Sequence, residues 1–211
     1  MMTRREALAL LGSAAAAAAW LPSFPALAQS ASAQDLAVAG PLGDVTQGPA
    51  DAKVTIVEYA SLTCSHCAAF HKDTYPVLKQ RYIDTGQVRF MLREFPLDPL
   101  AMAGFMLARC DGEAKYYPVT DLLFGQQKTW AFSDKPLEAL QQMMRQAGFS
   151  QEKFESCLRD QKLYDAVTTV KNRGEKLGVN STPTFFINGQ RHSGNMSIAE
   201  IEKVIKPILG V

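Results

Sequence analysis

A chain of 211 residues, 47% hydrophobic and 20% charged, is long enough for one domain with a core of ordinary size and room for an inserted elaboration. A formal charge of +1 without any clustered Lys/Arg run excludes the basic field that a nucleic-acid partner requires. Four cysteines form an even set, so full pairing is possible.

Residues 1–28 carry the pattern of an export signal. Arg4 and Arg5 precede the apolar run Ala7 to Leu21, and Ala26-Leu27-Ala28 supplies small residues at the cleavage position. The run is mostly alanine and falls short of the ~20 strongly apolar residues that span a bilayer, which argues against an anchor. Thr3-Arg4-Arg5 also resembles a twin-arginine signal, but Ala7 stands where a bulkier residue is usual, so the export pathway stays open. Removing the segment takes away two arginines and one glutamate and leaves a formally neutral chain. Cys64, Cys67, Cys110 and Cys157 all lie beyond it and would meet an oxidising compartment, the periplasm, where disulfides persist.

Residues 29–53, rich in Ala, Gly, Ser and Pro, suit a tether or an edge segment. Val54 to Tyr59 is apolar in both phases of a two-residue repeat, as a central strand covered on both faces requires. Cys67 to Tyr82 reads as a helix, with Pro76 predicting a kink. Gln87 to Phe95 is a second strand. Helical signals then fill Pro99 to Cys110, Lys115 to Leu123, Pro136 to Gly148, Gln151 to Asp160 and Leu163 to Leu177. Strand signals return at Thr184 to Ile187. That run leads into the hairpin pair Asn188-Gly189, with Gln190 to His192 as the return strand. Ser197 to Ile208 closes the chain as an amphipathic helix, with Ser197 and Glu200 spaced as a capping box. A β-α-β unit is thus separated from a β-β-α unit by a block of helices. That order fits an α/β thioredoxin-type sheet with an inserted all-helical domain.

Cys64-Ser65-His66-Cys67 sits at the junction of the first strand and its helix. Its two sulfurs lie one turn apart on one helix face and can bond to each other. Unpaired N–H groups and the positive end of the helix dipole favour a thiolate at Cys64, and a protonated His66 would add to this. A stabilised thiolate leaves readily, so the pair would act as an oxidant. A zinc knuckle would use the same spacing but needs a second ligand pair, and Cys110 and Cys157 are single residues 47 apart, so no metal is expected. Pro183 directly before a strand suits its first position, where a missing donor costs nothing.

TIVEYASLT followed by CSHC, and later GVNSTPTFFING, resembles the DsbA-like family of thioredoxin-fold disulfide oxidoreductases, specifically its exported bacterial members. The resemblance covers the chain from about Pro41. It implies a thiol oxidase without cofactor that passes its Cys64-Cys67 disulfide to cysteine-containing folding proteins and is reoxidised by a DsbB-type membrane partner. It further implies a cis Thr182-Pro183 bond facing Cys64, with the Thr182 backbone offered to an extended substrate. Ser65 stands where the best-known oxidase has proline, which leaves the oxidising strength open. Glu58 is either an edge residue facing water or, as the resemblance implies, a buried carboxylate that accepts the proton of Cys67. Cys110 and Cys157 could be two buried thiols, but an oxidising compartment favours a structural, noncatalytic disulfide between them, such as some members of the family carry.

A reductase or isomerase is the nearest alternative. Isomerases of this fold usually carry a dimerisation domain, for which residues 29–53 are too few, so a monomer is expected. A zinc- or peptide-binding protein without turnover is the alternative from another class. The expected layout is an export signal (1–28), an edge segment (29–53), the first half of the thioredoxin domain (54–98), the helical insertion (99–177) and the second half (178–211). Six methionines, Met91, Met102, Met106, Met143, Met144 and Met196, are expected mostly in the core, with a peptide groove as the other use for such adaptable side chains. His71 and His192 are expected to be packing or solvated residues.

Overall fold

The computed structural model describes residues 31–211. The expected export signal lies outside the described residues. Strand β2 (Val54–Ala60) runs parallel to β3 (Val88–Glu94), in register Val54 to Val88, and antiparallel to β4 (Thr184–Ile187). With edge strand β1 (Thr46–Gln47) against β3 and β5 (Gln190–Ser193) against β4, the sheet order is β1-β3-β2-β4-β5. Asn188 at the β4–β5 turn takes φ 44° and Gly189 φ 88°, the paired positive values that a tight primed hairpin demands.

Period-two alternation divides β2 between two cores. Val54, Ile56 and Ala60 join the larger cluster, with Phe70, Leu78, Phe105, Ile201 and Ile205, while Val57 and Tyr59 join a smaller one with Leu36, Met91, Phe95 and Phe186. Glu58 shares the parity of Ile56 and Ala60 and therefore points into the larger core. It is fully buried, so the water-facing reading is wrong.

The segment before the sheet is docked along it rather than hanging free. Ser32 caps a short helix, α1 (Ala33–Ala37), by accepting from Asp35 N. Buried Arg93 of β3 then pins the stretch from Leu36 to Asp44, donating to both Asp44 oxygens (2.9 and 2.7 Å), Leu36 O (2.6 Å) and the Tyr59 hydroxyl (3.1 Å). Engaging all three guanidinium nitrogens in this way is what makes its burial tolerable.

After β2 a continuous helical stretch, α2, covers 65–83. Two of its turns are π-type, Phe70–Thr74 and Lys79–Ile83. The widened turn before Pro76 is where the disruption expected from that proline is absorbed: Tyr75 N–H reaches back to Phe70 O, and Pro76 sits near the start of the following α-helical piece, where its missing donor costs little. Between β3 and β4 come α3 (Pro99–Cys110), α4 (Glu113–Gly125), α5 (Gln127–Trp130), α6 (Pro136–Gln146), α7 (Gln151–Arg159) and α8 (Gln161–Lys176). The four-residue α5 had no sequence expectation. A final helix, α9 (Ile198–Leu209), carries the full Ser197/Glu200 capping box and packs Ile201 and Ile205 into the main core. Cys110 at the end of α3 and Cys157 in α7 are disulfide-bonded, with Cα atoms 5.7 Å apart. Arg109, beside that bond, donates to Glu94 (2.5 Å) and to Gly43 O (3.1 Å), tying the helices to the sheet.

Candidate active site

Cys64 is the N-cap of α2, where the chain turns from the end of β2 into the helix. It is partly exposed; Cys67, one turn on, is buried, and the two are unbonded. The loop that presents Cys64 is held from the helical insertion. Gln127 of α5, itself buried, donates through Nε2 to Leu62 O (2.8 Å) and Cys64 O (3.0 Å). Thr63 donates to Asp98 (2.5 Å), which in turn caps α3 by accepting from Ala101 N. The Thr182-Pro183 bond is cis and places Thr182 O 3.3 Å from Cys64 Sγ, which donates to it in the thiol form.

The two sulfurs are driven in opposite directions. The Cys64 thiol is pulled from the ordinary range down to about 5, first by the hydrogen bond that the Cys67 thiol gives its thiolate, then by the Thr182 side chain and the backbone N–H groups of Cys67 and His66, against the opposing effect of burial. The Thr182 hydroxyl is buried with no hydrogen-bond partner, which leaves it free to serve the sulfur when Cys64 is a thiolate. Cys67 is pushed well above the ordinary thiol range by burial, by its hydrogen bond to Cys64 and by the charge of Glu58. The pair therefore combines an accessible thiolate with a sealed thiol. His66 and Ser65 are both exposed, and His66 acts on Cys64 through its backbone N–H.

Glu58 has an unforeseen partner. His71, one turn beyond Cys67, is buried with Nε2 2.9 Å from Glu58 Oε2, and its ring stacks on Phe124 at 4.1 Å between centroids. The sequence marks His71 only by its four-residue spacing from Cys67, which puts both on one helix face. The packing expectation for His71 is correct but incomplete. Gln127 has no sequence signal at all, because its role depends on where a four-residue helix lands. Of the six methionines, Met91, Met106, Met143, Met144 and Met196 are buried; Met102 and Met106 line an open cleft of about 480 Å³ with Pro96, Leu97, Leu158 and Tyr164.

A thioredoxin family model matches residues 42–207. The chain belongs to the thioredoxin family. Within it the chain is DsbA-like in architecture, with the α/β thioredoxin fold and a helical insertion. Alpha-DsbA1 of Wolbachia pipientis superposes with a TM-score of 0.76 at 29% identity, covering 83% of this chain and 96% of that one. Oxidised BdbD from Bacillus subtilis, at 19% identity and TM-score 0.68, covers 80% of this chain and 94% of its own and shares the fold. A Rickettsia bellii relative, provisionally named a protein-disulfide oxidoreductase, is 34% identical over 168 residues, 77% of this chain. The chain spans 65% of that relative's length.

Proposed function

We propose that this DsbA-like chain is an exported thiol oxidase that donates the Cys64-Cys67 disulfide to cysteine-containing folding proteins. The observation that carries the reading is the opposed pair of sulfurs: Cys64, partly exposed and brought down to about 5, beside buried Cys67, pushed up. A substrate thiolate attacks Cys64 Sγ, the Cys64–Cys67 bond breaks, and the Cys67 sulfur leaves and takes a proton. A second substrate thiolate then attacks the substrate sulfur of the mixed disulfide and expels Cys64 as a thiolate. Two electrons pass from substrate to protein, and the favoured Cys64 thiolate draws the exchange forward.

In this proposal Cys64 is the attacked sulfur, Cys67 the resolving one, and Glu58 the group that exchanges a proton with Cys67. Ser65 and His66 supply the helix's first turn, with the His66 N–H directed at the thiolate. Thr182 and Pro183 form the wall along which an extended substrate lies, adding a short strand to the Thr182 backbone. The Cys110–Cys157 bond is structural. The proposed layout keeps an export signal in residues 1–28, an edge segment in 29–53, thioredoxin halves in 54–98 and 178–211, and the helical insertion in 99–177. A periplasmic monomer reoxidised by a DsbB-type membrane protein completes the proposal.

The test is stoichiometric transfer. Oxidised protein mixed with a reduced, unfolded two-cysteine substrate should yield substrate disulfide and an equal amount of protein dithiol, and Cys64→Ala should abolish the transfer. If the protein instead only reduces or reshuffles disulfides already present in a substrate, the oxidase assignment fails in favour of a reductase or isomerase.

A further inference from the structure

The sealed position of Cys67 creates a transport problem. Whenever its bond to Cys64 breaks or forms, a proton must arrive at or leave a sulfur that water does not reach. Glu58 alone does not solve this, because it too is fully buried. Its Oε2 is engaged by His71 Nε2 at 2.9 Å, so a proton lies between those two atoms, while Oε1 is buried and unpartnered. The far nitrogen of the ring, His71 Nδ1, is also buried without a hydrogen-bond partner and lies 4.0 Å from Asp121 Oδ1. The Asp121 side chain is 50% exposed.

We infer that His71 and Asp121 form a proton conduit joining Glu58, and through it Cys67, to bulk water. This rests on the oxidoreductase reading and deepens it. When Cys67 leaves as a thiolate, His71 Nε2–H protonates the Glu58 carboxylate, which passes the proton on to Cys67, and a proton from water enters His71 at Nδ1 through Asp121. When Cys67 attacks a mixed disulfide on Cys64, the same protons run outward and the departing thiolate carries the electron pair. Rotation of the half-exposed Asp121 side chain would close the 4.0 Å gap at Nδ1.

The groups facing His71 suit this use. From β2 comes Glu58; from α4 come Asp121 and the stacked Phe124, with Tyr117 within range of the Glu58 charge; from α2 itself come Tyr75 and, acting on Asp121, Lys79. Burial pushes the Asp121 carboxyl up from its ordinary value, against the influence of His71 and Lys79, towards a group that exchanges protons more readily near neutrality. His71 acts on the reacting sulfur through Glu58 and is therefore a positioning and relay residue.

The experiment times ring closure in one turnover. Reduced protein is loaded at Cys64 with thionitrobenzoate as a mixed disulfide, and release of the coloured thiolate by Cys67 is timed from pH 5 to 9. In the wild type, closure should vary little with pH around neutrality. In His71→Gln, which keeps a donor for Glu58 but cannot relay, closure should be roughly tenfold or more slower at pH 7 and should rise about tenfold per pH unit, as direct removal by hydroxide requires. Asp121→Asn, at the surface, should shift the profile the same way by a smaller factor, and it tests the inference even if the His71 variant fails to fold. If either folded variant closes with the wild-type rate and profile, the conduit is overturned. It is equally overturned if the variants lower the melting temperature but leave the shape of the profile intact, as a packing role alone would. If the wild-type mixed disulfide never closes, the oxidoreductase reading itself has failed.

Discussion

Stability of the reduced protein should depend on pH in a way that the oxidised protein's does not. In the reduced fold Cys64 titrates at about 5, against an ordinary thiol near 9 when the chain is unfolded. A group depressed by folding contributes stability that is complete above its unfolded value and is lost as pH falls through its folded value. Between pH 5 and 7 this amounts to about 2.7 kcal/mol for a fully shielded group at ~1.36 kcal/mol per pH unit. The sulfur is only partly buried, and solvent screening reduces this to about 1–2 kcal/mol. Cys67, pushed up instead, stays protonated in both folded and unfolded chains below neutrality and contributes nothing there. In the oxidised protein neither sulfur titrates, so subtracting the two forms removes every other group. Urea unfolding of both forms at pH 4 and pH 7 should therefore show the reduced form's advantage shrinking by about 1–2 kcal/mol on acidification. A difference that is constant, or that grows as pH falls, would refute the assignment of a favoured thiolate to Cys64.

Removing the Cys110–Cys157 bond by a double alanine substitution opens a loop of 47 residues' separation, for which chain entropy gives about 4 kcal/mol. Melting should fall by about 8–16 °C while Cys64 keeps its reactivity, and a fall under about 2 °C would remove the structural role. Gln127→Ala deletes the bonds to Leu62 O and Cys64 O and should cost about 1–3 kcal/mol in denaturant unfolding. A loss below about 0.5 kcal/mol would mean the clamp is not needed to hold the loop.

The parts of the fold legible from sequence were those whose signals are local. Val54 to Tyr59 announced a doubly covered strand, Asn188-Gly189 its hairpin, and Ser197 with Glu200 its helix start, because each is decided by residues within a few positions of one another. The two cysteines and Thr182-Pro183 were legible for the same reason, although the approach of Cys64 to Thr182 at 3.3 Å, 118 positions apart in sequence, depends on β2 pairing with β4. Other features depend on such distant placement from the start. Arg93 reads as a charge interrupting an apolar strand until Asp44 and Leu36 are seen to surround it. The π-turn of α2 ahead of Pro76 is a compromise around that proline that no periodicity encodes. Gln127 reaches the active-site loop only because four residues after Gly125 form a helical turn against it. Glu58 could be read in two ways from sequence, and strand parity together with the docking of α2 and α4 determines that it is buried.

The Cys64-Cys67 disulfide is a donor only if the protein holds its dithiol more comfortably than its disulfide, and equilibrium with glutathione measures that balance. Oxidised and reduced fractions of the Cys64-Cys67 pair, measured across a series of glutathione ratios at pH 7, should give a potential between about −180 and −120 mV, the strongly oxidising end of the thioredoxin-fold range. A value of about −270 mV, as for a reductase, would overturn the oxidase assignment.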